Sequence, residues 1–238
     1  MTIRSKVRFR MKNNHIVKDA FILSAGLGKR LLPYTKYNPK PLVPINEKPM
    51  IEYILDALFD IRIRNIYINT YYLSDQIEKY FQTKGLTNVH IKMESELLDT
   101  GGGVKSGLGE EYSDPIFIIN CDALVLQNYS RLLSELRDNF IPSDMDAILA
   151  LSKVSDAIGY SGSGDFYLGK NNILESEKKI TSKYVFMGIS ILNPITLRLT
   201  DKKKFSLIEI WKKLIFDKKC YGRTVSYTHL RAHETDIN

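Results

Sequence analysis

Residues 23–41, LSAGLGKRLLPYTKYNPKP, gather the side chains that handle phosphate. Gly26 and Gly28 lack the Cβ atoms that would keep backbone N–H groups away from an anion. Lys29 and Arg30 follow at once. Arginine offers phosphate oxygens a planar fork, and lysine a point charge. Another cation, Lys40, stands between Pro39 and Pro41, whose fixed φ stiffens its loop. The apolar run 20–23 leads through Ser24 and Ala25 into the glycines, so a buried strand opens into a glycine turn and then into cations. That order suits a nucleoside triphosphate or another polyphosphate. Alone, a GxG is equally a tight turn that needs positive φ. The P-loop pattern is absent, and Leu31 stands where the dinucleotide fingerprint needs its third glycine.

Two more groups carry chemistry. Asp122 follows the apolar run 115–120 in Asn120-Cys121-Asp122. A carboxylate there either caps the next turn or holds Mg²⁺, a hard cation commonly bound by one or two carboxylates plus substrate phosphates. Asp99-Thr100-Gly101-Gly102-Gly103 is either a flexible loop before a helix or a bare backbone surface on which a flat base can lie.

The string at 23–41 resembles the signature of sugar-1-phosphate nucleotidylyltransferases, roughly L-x-A-G-x-G-x-R-(x)-P-x-T-x-x-x-P-K-P. Gly26, Gly28, Arg30, Pro33, Thr35, Pro39, Lys40 and Pro41 fall on it. The resemblance, which extends over about 19–222, implies a Rossmann-like three-layer α/β fold with a mainly parallel central sheet. It implies an enzyme that joins an NTP to a sugar 1-phosphate with Mg²⁺, releasing pyrophosphate. It places Ala25, Gly26, Leu27, Gly28, Lys29 and Arg30 around the triphosphate, and Lys40 at the α-phosphate and the incoming sugar phosphate. Asp122 goes to the metal, and Thr100, Gly101 and Gly102 to the base. Asn120, Asp165 and Gly188 go to the sugar.

The (E/D)-T-G-G-G element, the N-x-D triplet and Gly164-Asp165-Phe166 are similar to those of N-acetylmuramate-1-phosphate uridylyltransferases of cell-wall recycling. UTP is accordingly the favoured nucleotide. GTP with mannose 1-phosphate and dTTP with glucose 1-phosphate remain alternatives. A silent regulatory homologue is a further one, against which the intact Arg30, Lys40 and Asp122 argue. Cys121 replaces a usual Gly or Ser and is read as a tolerated compact residue, not a nucleophile.

Elements must hold these groups at one edge. Strands are expected at 19–23, 65–69, 89–93, 115–120, 146–151 and 184–192. Helices are expected at 50–61, 74–81 (with Ser74 as N-cap), 103–108, 128–140 and from 206. The alternation argues a mainly parallel sheet covered on both faces, with ligands beyond the strands' carboxyl ends. The glycine-rich stretch 159–172 reads as a loop or hairpin over the substrate.

The length of 238 residues allows one large domain, and no apolar run approaches a membrane span. Two cysteines far apart, with no secretory h-region, point to reduced cytoplasmic thiols. The net charge of +7 comes largely from residues 1–18, which hold six cations and no acid. This arm is expected to be solvated, with no nucleic-acid role. Met11 is a second possible start. Domain boundaries are therefore set at 1–18 for the arm, 19–224 for an incomplete catalytic domain and 225–238 for a tail. The tail's VSYTHLRAHET matches one reading frame of a transposon sequencing adapter. It stands where the family has a closing W-x-(D/H)-V-G-T strand, whose loss is expected to uncover 184–192.

Overall fold

The computed structural model describes residues 16–125, 128–158, 160, 162–175, 183–225 and 229–231. The first strand, β1 (Asp19–Leu23), runs into the glycine loop and three single 3₁₀ turns. A small hairpin, β2 (Pro44–Ile45) with β3 (Lys48–Pro49), leads to α1 (Met50–Asp60), β4 (Asn65–Thr70), α2 (Ser74–Lys84) and β5 (Val89–Met93). Next come α3 (Asp99–Leu108), β6 (Ile116–Asn120), β7 (Ala123–Val125), α4 (Tyr129–Asn139) and β8 (Ala147–Lys153). The second half adds β9 (Ala157–Ile158), β10 (Phe166–Leu168), β11 (Leu174–Glu175), β12 (Lys183–Leu192), α5 (Leu207–Phe216), β13 (Cys220–Thr224) and β14 (His229–Arg231).

The α/β fold with a large, mostly parallel central sheet is as expected. Strands β5, β4, β1 and β6 are parallel neighbours. Alternation sorts their side chains into two layers, because successive residues of a strand face opposite sides. Ala20, Ile22, Phe117 and Ile119 pack with α1, α2 and α4. Phe21, Ile116 and Ile118 pack with α3 and α5. Buried on both faces, such strands need continuous apolar runs, which 20–23 and 116–119 supply. In α1 the buried residues Ile51, Ile54, Leu55 and Leu58 recur at helical spacing and form its core face.

Beyond β6 the sheet changes character. Strand β12 joins β6 antiparallel, and β8 and β10 join β12 antiparallel. β12 is thus an interior strand, so the expected uncovered surface at 184–192 does not occur. Within the stretch expected to be a loop or hairpin, β10 forms an antiparallel hairpin with β11, and it extends this sheet through β12. The helix expected from 103 begins at Asp99, with the glycine triplet inside its first turns. Ser74 is not an N-cap, for that place is taken by Leu73 in a left-handed conformation with φ 51°. The arm, apart from 16–18, and most of the tail lie outside the described residues. Within the tail, β14 pairs with β7 and β9. No described helix is long and apolar enough to cross a membrane.

Candidate active site

Register brings the site together. Leu23 at the end of β1 lies opposite Asn69 on β4 and Asn120 on β6. The three strands end level, and the loops that follow them share one edge. There a cleft of about 540 Å³ opens, within the roughly 300–1,000 Å³ typical of small-molecule sites.

The glycine loop forms its floor. Gly28 sits at φ 64°, and a Cβ there would lie 2.8 Å from Thr35 Cγ2. Thr35 Oγ1 donates to the Gly28 carbonyl at 2.8 Å, and Leu31 N donates to the same oxygen at 2.9 Å. The chain therefore doubles back, and Leu31 is buried with Met50 and Leu124. Lys29 and Arg30 are left exposed along the cleft. Around Gly26 an added Cβ would meet nothing within 4 Å, so the backbone there is open to a ligand.

Lys40 begins a 3₁₀ turn stiffened by Pro39 and Pro41, with Leu42 N donating to Pro39 O at 2.9 Å. Its ammonium pairs with Asp122 Oδ2, and the two side chains are only 11% and 18% exposed. Asp122 lies in the turn between β6 and β7. Next to it, burial pushes the Cys121 thiol up to about 11, so Cys121 is protonated at neutral pH and not poised as a nucleophile. The Cys121 N–H donates to Leu23 O at 3.1 Å and ties the turn to β1.

The donor set fits Mg²⁺ of a particular kind. Asp122 offers hard carboxylate oxygens, and among the described residues no three His, Cys, Asp or Glu side chains cluster as metal ligands. One carboxylate completed by phosphate oxygens is an ordinary way to hold Mg²⁺. The residues suit an ion that arrives with a nucleotide.

Ala25, Gly26, Leu27, Gly28, Lys29, Arg30, Lys40, Thr100, Asn120 and Asp122 all line this cleft. Gly101 and Gly102 do not. Their N–H groups donate to Phe205 O at 2.9 and 3.0 Å, and added Cβ atoms would lie 2.3 Å from Phe205 Cε2 and from Lys203 O. The structure sets these two glycines against residues 203–205, and their missing side chains make room for that part of the chain. Thr100 reaches the same segment, accepting from Leu207 N at 2.9 Å.

Gly188 and Asp165 also lie outside the cleft lining. Gly188, at φ 78° in an irregular stretch of β12, backs onto Asn120 and Ala123. Asp165 accepts from Phe186 N at 2.9 Å and Tyr160 Oη at 3.0 Å, bracing the start of β10 against β12. Two polar lining residues escaped the sequence reading, Asn69 and Glu94. Their signal was position: Asn69 is a polar residue near the carboxyl end of β4, beside β1, and Glu94 directly follows β5, the next strand out.

Residues 19–196 match the family model described as Nucleotidyl transferase. An N-acetylmuramate alpha-1-phosphate uridylyltransferase from Caulobacter vibrioides is 28% identical over 211 residues, covering 86% of this chain and 87% of the relative. A D-glycero-alpha-D-manno-heptose 1-phosphate guanylyltransferase from Aneurinibacillus thermoaerophilus is 33% identical over 140 residues, 58% of this chain and 59% of the relative. Among solved structures, HddC from Yersinia pseudotuberculosis, complexed with GMP-PN, superposes with a TM-score of 0.68 at 24% identity, covering 90% of this chain and 93% of that one. The inositol-1-phosphate CTP transferase from T. maritima gives 0.73 at 16% identity, covering 94% and 92%. These two neighbours share the fold. With the family model spanning well over half of its length, the chain is an enzyme belonging to the nucleotidyl transferase family.

Proposed function

We propose that this enzyme transfers a nucleotidyl group from an NTP to a sugar 1-phosphate, with UTP and N-acetylmuramate 1-phosphate as the pair. The observation that carries the transfer chemistry is the convergence of Arg30 and Lys40, from the long β1–β2 connection, and Asp122, from the β6–β7 turn, on one cleft with an open glycine backbone. A phosphate oxygen attacks the α-phosphorus in line, a bond to that oxygen forms, and the bond to pyrophosphate breaks. The nucleophile is already anionic, so catalysis is positioning and charge neutralisation and no general base is needed.

Gly26, Gly28 and Arg30 hold the outer phosphates, and Lys40 neutralises charge that gathers at the α-phosphate. Mg²⁺, held by Asp122 and the phosphates, would supply further charge neutralisation. The choice of sugar and base rests on the Caulobacter relative and on the Asp99–Gly103 and Asn120–Asp122 elements. Guanylyl transfer is the second reading, favoured by the higher identity to the heptose 1-phosphate guanylyltransferase over a shorter span. Pyrophosphate release measured across a grid of NTPs and sugar 1-phosphates tests both. The fastest turnover is expected with UTP and N-acetylmuramate 1-phosphate. GTP with a heptose or mannose phosphate in that place would establish the second reading.

A further inference from the structure

Asn69 and Glu94, polar lining residues to which the transfer chemistry gives no role, belong to one continuous polar chain. Ser24, at the entry to the glycine loop, donates its N–H to Asn69 Oδ1 at 2.8 Å. Asn69 Nδ2 donates to Glu94 Oε1 at 2.6 Å. Glu94 Oε2 accepts from the N–H of Leu98, the residue before α3, at 3.1 Å. Asn69 and Glu94 are 3% and 8% exposed, so water does not substitute for these bonds. Gly103 of α3 presses on the middle of the chain, where a Cβ would lie 2.6 Å from both Asn69 Nδ2 and Glu94 Oε1.

The chain starts and ends on backbone donors, which fixes its chemistry. An amide in the middle supplies one acceptor and one donor, so its neighbour must accept at both ends. Only a carboxylate does that. With glutamine at 94, one donor always faces another, whichever way either amide turns.

We propose that Asn69 and Glu94 are positioning residues that hold the glycine loop and the start of α3 at a fixed separation, setting how the two halves of a bound nucleotide are registered. They touch no reacting atom. The inference rests on the nucleotide reading of the cleft, and its test separates the two.

The test uses the full chain, with UTP and GTP as probes in equilibrium titrations, KM for nucleotide and for sugar phosphate, and thermal melting. E94Q and N69D should each weaken nucleotide binding about tenfold or more, the scale of one buried polar group left mispaired. The sugar-phosphate KM should stay within about twofold, because that substrate does not bridge the two loops. The exchange N69D/E94Q restores every donor–acceptor pairing. The carboxylate now at position 69 accepts from Ser24 N and from the amide nitrogen now at position 94, while the oxygen of that same amide accepts from Leu98 N. The exchange should recover nucleotide affinity to within a few-fold of wild type, the interaction term of a double-mutant cycle. Should a single variant fail to fold, the exchange alone decides, and it must fold and bind. An exchange no better than the singles overturns the proposal. So do singles that melt earlier yet bind nucleotide normally. If the wild-type chain bound neither UTP nor GTP, the nucleotide reading itself would fall, a different result.

Discussion

Lys40→Ala separates an electrostatic catalyst from a structural ion pair. In the free enzyme the ammonium is committed to Asp122, with the two side chains 11% and 18% exposed. A pair this sheltered is not a screened surface contact, whose net worth is about 0–1 kcal/mol. On our reading the same charge serves two anions, Asp122 and then the α-phosphate in the transition state. Removing one preorganised group aimed at developing charge costs roughly 3–4 kcal/mol, about 10²–10³ in kcat. A merely structural pair would instead lower the melting temperature and leave the turnover of the folded variant near that of wild type. The assay is pyrophosphate release at saturating substrates, read beside far-UV circular dichroism and the melting temperature. Mg²⁺ titrations give the second axis. Without Lys40 the Asp122 carboxylate loses its competing cation, so half-saturating Mg²⁺ should hold or fall while kcat drops. Turnover within about fivefold of wild type would refute the catalytic role. A kcat loss matched by a rise in half-saturating Mg²⁺ would show instead that Lys40 acts only by placing Asp122.

Asp122→Asn keeps the shape but removes the charge a hard cation needs, and should abolish Mg²⁺-dependent turnover; an unchanged metal response would move the site elsewhere. Gly28→Ala forces a Cβ into φ 64° and toward Thr35 Cγ2 at 2.8 Å, a strain of about 1–2 kcal/mol, and should raise the Kd for inorganic tripolyphosphate several-fold. Gly101→Ala overpacks against the Phe205 ring and should destabilise by about 1–3 kcal/mol, read as a fall of several degrees in melting temperature. With its thiol raised to about 11, Cys121 should resist iodoacetamide at neutral and mildly alkaline pH and react appreciably only as the pH nears that value; rapid inactivation in mildly alkaline buffer would contradict its burial.

What the sequence made legible was what local rules decide. Strand β1 showed as an apolar run. Gly26, Gly28, Arg30 and Lys40 showed as residue types whose backbone and charge preferences have few other uses at such spacing. The strands beside β1 could be read, and parallel packing then carried Asn120 and Asp122 to the same edge. What stayed hidden depends on partners remote in sequence. Nothing near Asn69 announces Glu94, and the hydrogen bond between them exists only because β4 and β5 lie side by side. Interior placement of β12 follows from its pairing with β6 and β8, which its own residues do not encode.

The glycines make the physical point most directly. A glycine reports that something approaches the backbone closely, without saying what. At Gly26 the space opposite the missing Cβ is open, as a ligand site requires. At Gly101 and Gly102 that space holds Phe205 and Lys203, which lie far along the chain. The same residue type, in two runs that both resemble substrate loops, therefore faces open space in one and the enzyme's own α5 lead-in in the other. Only the three-dimensional neighbour of each absent side chain tells them apart.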